Sequence, residues 1–330
     1  MKENNIKNNQ NEDNLVDNDF ATSLISNEKL RIGVIAEFNP FHNGHAYLLK
    51  KIKEMYPNSE IIIALSSDYV QRGEIACSPF SKRSEIALEY GATKVVPLDF
   101  FTSTQAAHIF AKGSVDILLN EKIDLLIFGT SDSSDINKYI NAANWLNLES
   151  ERYNKLVRFY LKQGKSYVAS TYQAMIDIFG DEDLIPKDIL GFEYVKYIIN
   201  SKLPIKLNCI KRTASHLSLE ANEKYASATL LREMLKKGED ISKYSPMKID
   251  LPIPTISSRY EEFKKIVIET PADQLAQIML VSEGMENLFK KNILIAKDYD
   301  DFLSICSSKR YTKSRIKRVF LYILLGIKKQ

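Results

Sequence analysis

The chain has 330 residues, of which 45% are hydrophobic, 26% charged and 10% aromatic, an ordinary globular composition with enough apolar surface for a sizeable core and room for two domains. Lys and Arg number 45 against 42 Asp and Glu, a formal net charge of +3, which excludes histone-like coating of nucleic acid but leaves room for a local basic patch. Cys77, Cys209 and Cys306 lie too far apart to form a disulfide framework or a zinc cluster, no stretch reaches the ~18 consecutive apolar residues of a spanning helix, and the start lacks a signal-peptide core, so a soluble, cytoplasmic protein with no membrane partner is expected.

Residues 1–28 are crowded with Asn, Asp and Glu and show no apolar period. Such a segment buries too little surface to offset its ordering entropy, so a disordered tail is predicted. Residues 31–38 (RIGVIAEF) read as a buried strand, followed by the loop 39–44 and a helix over 45–55 with apolar residues at Tyr47, Leu48, Ile52 and Met55. A second strand is predicted at 60–65, a helix at 80–90 ended by Gly91, a third strand at 94–97, a helix at 103–119, and a fourth strand at 124–128 closed by Gly129. Strands alternating with helices at this spacing predict an α/β fold, a doubly wound parallel sheet covered on both faces. Residues 136–164, 172–179 and 188–199 look helical. Residues 206–212 form a further candidate strand of the same sheet, and 225–235 a helix opened by Ser227. From Asp240 onward the pattern is mainly helical, with a proline joint at Pro252 and Pro254. The expected organisation is thus a tail (1–28), an α/β domain (29–240) and a helical domain (241–330).

The sharpest local signal is Asn39-Pro40-Phe41-His42-Asn43-Gly44-His45, between a buried strand and an amphipathic helix. In open α/β sheets ligands bind beyond the carboxyl ends of strands. The helix that this loop opens offers unpaired N–H groups and a positive dipole end, which favour phosphate. Gly44 permits close backbone approach, and two imidazoles three residues apart suit transfer at a nucleotide α-phosphate, where charge builds on oxygen. The alternatives are a histidine pair that caps the helix or binds a metal; two of only four histidines falling here beside a glycine favour function.

These residues carry a resemblance. The loop resembles the HxGH signature of nucleotidylyltransferases and class I aminoacyl-tRNA synthetases, and NPFHNGH in full is similar to that of the tRNA(Met) cytidine acetate ligase family. Further blocks fit in order: Ser67-Asp68-Tyr69-Val70-Gln71-Arg72-Gly73-Glu74 with Lys82 and Arg83 behind it, residues 105–118, Phe128-Gly129, Ile189-Leu190-Gly191-Phe192-Glu193-Tyr194, Ala226-Ser227-Ala228-Thr229-Leu230-Leu231-Arg232, and the basic segment from Lys309 to Arg318. The resemblance implies a nucleotidylyltransferase-like (HUP/Rossmann-like) domain and a two-step ligase. Acetate attacks the α-phosphate of ATP to give acetyl-adenylate and pyrophosphate. The N4 amine of the wobble cytidine of elongator tRNA(Met) then takes the acetyl group.

Carried over by position, Ile35, Ala36, Glu37, Phe38, Asn39, Pro40, Phe41, His42, Asn43, Gly44, His45, Ala46, Tyr47 and Leu48 would cradle ATP, with Mg²⁺ accompanying the phosphates and no metal held by the protein itself. His42 and His45 would act on the phosphates as catalytic groups together with Arg232. Gly129 would leave room for adenosine, and Asp188 and Arg212 would contact the nucleotide. Ser227 and Thr229 with Arg232 would hold the departing pyrophosphate, or else form a plain N-cap with a solvent-facing arginine; a surface arginine is likewise the alternative at Arg212. Gln71 and Arg72 would bind acetate or the acyl-adenylate, or belong to a turn closed by Gly73. The family's Asn pair ahead of Ile-Leu-Gly stands here as Lys187-Asp188, which can still accept a hydrogen bond but places negative charge near phosphate.

Residues 309–330 carry eight Lys or Arg and no acid. Lys309, Arg310, Lys313, Arg315, Lys317 and Arg318 surround Tyr311 ahead of an apolar helix face, which suits a grip on tRNA phosphates with Tyr311 stacking on a base; a solvated helix end is the alternative. Two rival functions share parts of this pattern. A small-molecule adenylyltransferase of coenzyme synthesis has no use for the basic end, and a decayed RNA-binding protein sits poorly with intact His42, Gly44, His45 and Arg232. His108, in a helical pattern, and the three cysteines receive no role.

Overall fold

The computed structural model describes residues 29–212 and 224–329; the tail expected at 1–28 lies outside the described residues. Five strands, β1 (Arg31–Ala36), β2 (Glu60–Ser66), β3 (Lys94–Leu98), β4 (Leu125–Thr130) and β5 (Lys206–Lys211), form one parallel sheet in the order β3-β2-β1-β4-β5. The chain steps outward from β1 to β3 and then crosses back to place β4 on the other side of β1. The crevice between the carboxyl ends of β1 and β4 is therefore the switch point at which such sheets bind ligands.

The central strands are apolar along their whole length because both faces are covered. Ile61, Ile63 and Leu65 of β2 face α1 (Asn43–Met55) and α2 (Phe80–Glu89) along with Ile32 and Val34, whereas Ile62 and Ala64 face the other layer with Leu126 and Phe128 of β4. That second layer comprises α4 (Ala107–Asn120), α5 (Ile136–Leu148) and α8 (Ile189–Asn200). The short α3 (Phe100–Ser103) precedes α4, and α6 (Ser150–Lys162) and α7 (Tyr167–Phe179) form a hairpin between α5 and α8.

Several boundaries differ from the sequence reading. β1 ends at Ala36 because Phe38 turns to φ 47° and buries its ring. The helix expected over 103–119 is broken: Ala106 is extended, and Thr104 and Gln105 turn inward to the Tyr322 hydroxyl at 3.0 and 3.2 Å. The stretch 136–164 divides at Glu149, which ends α5 and starts α6. α7 begins earlier than expected, at Tyr167, because Ser166 caps it through the Ala169 N–H.

Beyond β5, α9 (Ala228–Lys236) packs Leu231 and Leu235 with Cys77, Ile241 and Ile253. The remaining helices, α10 (Tyr260–Glu269), α11 (Ala272–Leu275), α12 (Met285–Asn292), α13 (Tyr299–Cys306) and α14 (Lys313–Leu324), enclose their own aromatic core. There Phe263 stacks on Phe320 with ring centroids 3.9 Å apart, and Phe289 and Phe302 are fully buried. Among the described residues no helix is long and apolar enough to cross a membrane.

Candidate functional site

His42 is the N-cap of α1. Its Nδ1 accepts the Gly44 N–H at 3.1 Å, and the His42 N–H donates to His45 Nδ1 at 3.2 Å, a reciprocal capping box built from two imidazoles. Because each Nδ1 accepts, the proton of each neutral ring sits on Nε2, so both rings are held as Nε2–H donors. The rings stack with centroids 3.7 Å apart. A Cβ at residue 44 would lie 2.9 Å from the His42 ring, which is why a glycine stands there. The cap reading and the catalytic reading are thus compatible: the capping bonds use Nδ1 and orient Nε2. Phe38 and Phe41 pack edge-on beneath the site and flank His45, with ring centroids 4.8 and 5.6 Å from it.

The loop is clamped by a segment nearly 200 positions away. Arg232 Nη1 donates to the Asn39 carbonyl at 2.7 Å and its Nη2 to Thr229 Oγ1 at 3.3 Å. The Asn43 side chain donates to the carbonyls of Lys224 and Lys243 at 2.9 and 3.0 Å, its backbone N–H donates to Tyr244 at 2.8 Å, and Ser245 Oγ donates to the Phe41 carbonyl at 2.6 Å. Ser227 caps α9 by accepting the Leu230 N–H at 3.1 Å. The start of α9, with its helix-end N–H groups, and the start of α1 therefore meet over β1, and both favour anions. Ile35, Ala36, Glu37, Pro40, Ala46, Tyr47 and Leu48 fall on the same strand end, loop and first helical turns.

A second group gathers at the neighbouring strand ends. Arg212, just past β5, crosses Gly129 at the end of β4; a Cβ on Gly129 would stand 2.9 Å from Arg212 Nε. Arg212 Nη1 pairs with Asp188 Oδ2 at 3.0 Å, while Asp188 caps α8 through the Gly191 N–H at 3.2 Å. The charge that Asp188 brings is thus matched by Arg212. Asp132, after β4, holds this corner by accepting the Lys187 N–H at 3.2 Å and the Lys138 ammonium at 2.9 Å.

Gln71 and Arg72 lie on the loop after β2, a turn with Gly73 at φ +78°. The Gln71 N–H donates to Glu37 Oε1 at 2.8 Å and its amide to the Gln105 carbonyl at 2.6 Å, which ties the loop to the end of β1. Arg72 is exposed. Sequence reasoning assigned no role to Arg83, and here the structure adds most. Its guanidinium is fully buried and donates to the carbonyls of Ser78, Glu37, Ser66 and Ser67, joining the carboxyl ends of β1 and β2. Burial lowers its pKa from the ordinary value. The signal was a lone arginine in the first turn of an otherwise amphipathic helix, and spacing alone does not separate that from a surface charge.

The basic segment is brought only partly to the site. Lys309, Arg310 and Lys313 are exposed near the start of α14. Tyr311 is buried, donates its hydroxyl to the Glu283 carbonyl at 2.7 Å and has Arg315 over its ring, which leaves no open face for a base. Arg310 and Arg315 share Glu283 at 3.4 and 3.3 Å. Lys317 pairs with Glu74, and Arg318 reaches the Gln71 carbonyl at 3.5 Å, so the second half of the segment packs on the loop after β2. Burial pushes the thiols of Cys77, Cys209 and Cys306 up to about 11. At Cys77 nearby Arg232 and Arg83 oppose the shift.

Comparison with known proteins fits this arrangement. A family model described as HIGH Nucleotidyl Transferase matches residues 30–330. The chain is 49% identical over 300 residues to the tRNA(Met) cytidine acetate ligase of Mycoplasma mobile, covering 91% of this chain and 100% of that protein. It is 34% identical over 315 residues to the protein of the same name from Anoxybacillus flavithermus, covering 91% and 78%. Crystal structures of Thermotoga maritima TmcAL, apo and bound with alpha-thio ATP, align with TM-scores of 0.81 and 0.80 at 26% and 27% identity, over 91% of this chain and 76% of theirs. The chain belongs to the tRNA(Met) cytidine acetate ligase family, within the HIGH nucleotidyl transferases.

Proposed function

We propose that the protein activates acetate with ATP and passes the acetyl group to the N4 amine of the wobble cytidine of elongator tRNA(Met). The observation that carries this reading is the meeting of two anion-favouring helix starts over β1, one lined by His42 and His45 and the other by Ser227, Thr229 and Arg232, in a chain of this family.

In the first step a carboxylate oxygen of acetate bonds to the α-phosphorus and the bond from that phosphorus to the bridging oxygen of pyrophosphate breaks. Negative charge grows on the phosphate oxygens, where Nε2–H donors on His42 and His45 gain strength as the transition state forms. Arg232 and the hydroxyls of Ser227 and Thr229 receive the departing pyrophosphate. Arg212, held by Asp188 over Gly129, sits at the nucleoside end. In the second step the cytidine N4 bonds to the acetyl carbon, AMP leaves with the carboxyl oxygen, and N4 loses a proton. Mg²⁺ enters on this reading as the counter-ion of the triphosphate; among the described residues no group of three or more His, Cys, Asp or Glu is placed to hold a metal by itself. The exposed Lys309, Arg310 and Lys313 meet the RNA by charge.

The test is to incubate the protein with ATP, labelled acetate and bulk tRNA, then digest and analyse nucleosides. Label in N4-acetylcytidine is expected. Pyrophosphate exchange without RNA labelling would transfer the reading to a small-molecule adenylyltransferase, and no ATP chemistry at all would leave an RNA-binding protein.

A further inference from the structure

α14 and the loop after β2 meet at a seam where the charges do not balance. Gly73 lies against the main chain of α14: a Cβ there would stand 2.8 Å from Arg318 N and 2.9 Å from the Lys317 carbonyl carbon. Around this seam most cations have an acid. Lys317 has Glu74, and Arg310 and Arg315 have Glu283, with Ser282 Oγ accepting a further bond from Arg315 at 2.8 Å. Arg72 and Arg318 have none within 4.0 Å among the described residues; Arg318 has only the Gln71 carbonyl at 3.5 Å. Burial, with Arg315 and Arg72 as like charges nearby, pushes Arg318 down to about 10. Two guanidiniums brought together without a carboxylate repel each other, and a buried one also loses hydration. An anion between them relieves both costs.

We propose that Arg72 and Arg318 form a binding site for the phosphodiester backbone of single-stranded RNA, at the seam between the loop after β2 and α14. A guanidinium presents a planar fork that matches the two free oxygens of a phosphodiester. A lone carboxylate fills one fork, whereas a strand supplies an anion to each. Lys309 and Lys313 precede the seam in the same segment, are exposed and offer further cations to the same strand. Arg72 follows Gln71, whose N–H is bonded to Glu37 just past the end of β1, so a strand held there lies on the strand-end side of the sheet that also carries the loop of His42 and His45. The inference rests on the reading of RNA as the acyl acceptor and specifies which part of it is gripped.

The experiment is binding of a tRNA(Met) transcript to the full chain and to its Arg318→Gln and Arg72→Gln variants across a salt series, with a thermal melt of each. For either variant we expect about 5–20-fold weaker binding near 0.1 M salt and a log–log salt slope shallower by about 0.7, the loss of one single-strand phosphate contact. Arg318→Lys should restore most of the slope and less of the affinity, because it keeps the charge and loses the fork. Unchanged affinity and slope in folded Arg72→Gln, which alters an exposed side chain, would overturn the proposal, as would a raised acetate KM with RNA affinity intact. Production of N4-acetylcytidine is read separately, so loss of the acetylation reading would not be confused with loss of this site.

Discussion

Replacing Gly73 by alanine tests whether the helical C-terminal part completes the loop after β2. Two costs are separable. Gly73 has φ +78°, and an L-residue there costs about 1 kcal/mol. The new methyl also points at main chain, 2.8 Å from Arg318 N and 2.9 Å from its Cα, so no side-chain rotation relieves it, and overpacking of this kind costs about 1–3 kcal/mol more. The total is about 2–4 kcal/mol, or a melting temperature lower by about 4–8 °C at ~2 °C per kcal/mol for a chain of this size. Gly180 supplies the control: it ends α7 at φ +69° with nothing within 4 Å of the site of its Cβ, so Gly180→Ala should cost only the backbone share, about 2 °C. Thermal melts of both variants, with acetate-dependent pyrophosphate exchange as the second readout, decide the matter. If the two variants melt within about 1 °C of each other, the close packing of α14 on this loop is not a stabilising contact and the reasoning fails.

The His42→Asn variant retains a good helix cap and should melt within about 2 °C of the parent, yet acetate-dependent pyrophosphate exchange should fall on the order of 10²–10³-fold because the Nε2–H donor is lost; a fall below ~10-fold refutes its role. In His45→Ala adenylation should vanish while tRNA still binds, and full activity would overturn the assignment of the site. Arg83→Met strands four carbonyls at the ends of β1 and β2 and should cost about 3–5 kcal/mol in denaturant unfolding, so a loss under ~1 kcal/mol contradicts the reading of Arg83 as a structural tie. The buried thiols ionise only toward about pH 11, which leaves on the order of 0.1% thiolate at pH 8; native protein should therefore resist iodoacetamide until denatured, and rapid labelling of the folded chain would show that these cysteines are not enclosed.

The sheet was legible because strands covered on both faces become unbroken apolar runs, of which 60–65 (EIIIAL) is the plainest. The NPFHNGH loop was legible because its chemistry is local: capping, glycine and imidazoles all act within one turn of helix. What escaped the sequence depends on partners far away in the chain. The break at 104–106 is held by Tyr322, and no periodicity between 100 and 120 announces it. Tyr311 reads as an aromatic among cations, but Glu283 and Arg315 turn it inward. The run of basic residues was visible as a sum; which of them are already neutralised depends on Glu74 and Glu283, which belong to different parts of the fold. Asp188 reads as a misplaced charge until Arg212 is seen beside it.

The seam between the loop after β2 and α14 also sets an order of events during synthesis. Lys317 and Glu74 are separated by 243 positions, so a ribosome adding about 5–20 residues per second makes the loop on the order of 10–50 s before its cover. Throughout that interval Gly73 has no helix against it, and the two arginines of the seam have not met. A nascent chain can assemble β1 to β4 and their helices, yet its loop stays unfinished until α14 emerges and docks. On the proposed reading, the capacity to hold RNA at this edge is therefore acquired only once α14 has docked, later than the crevice between β1 and β4 takes shape.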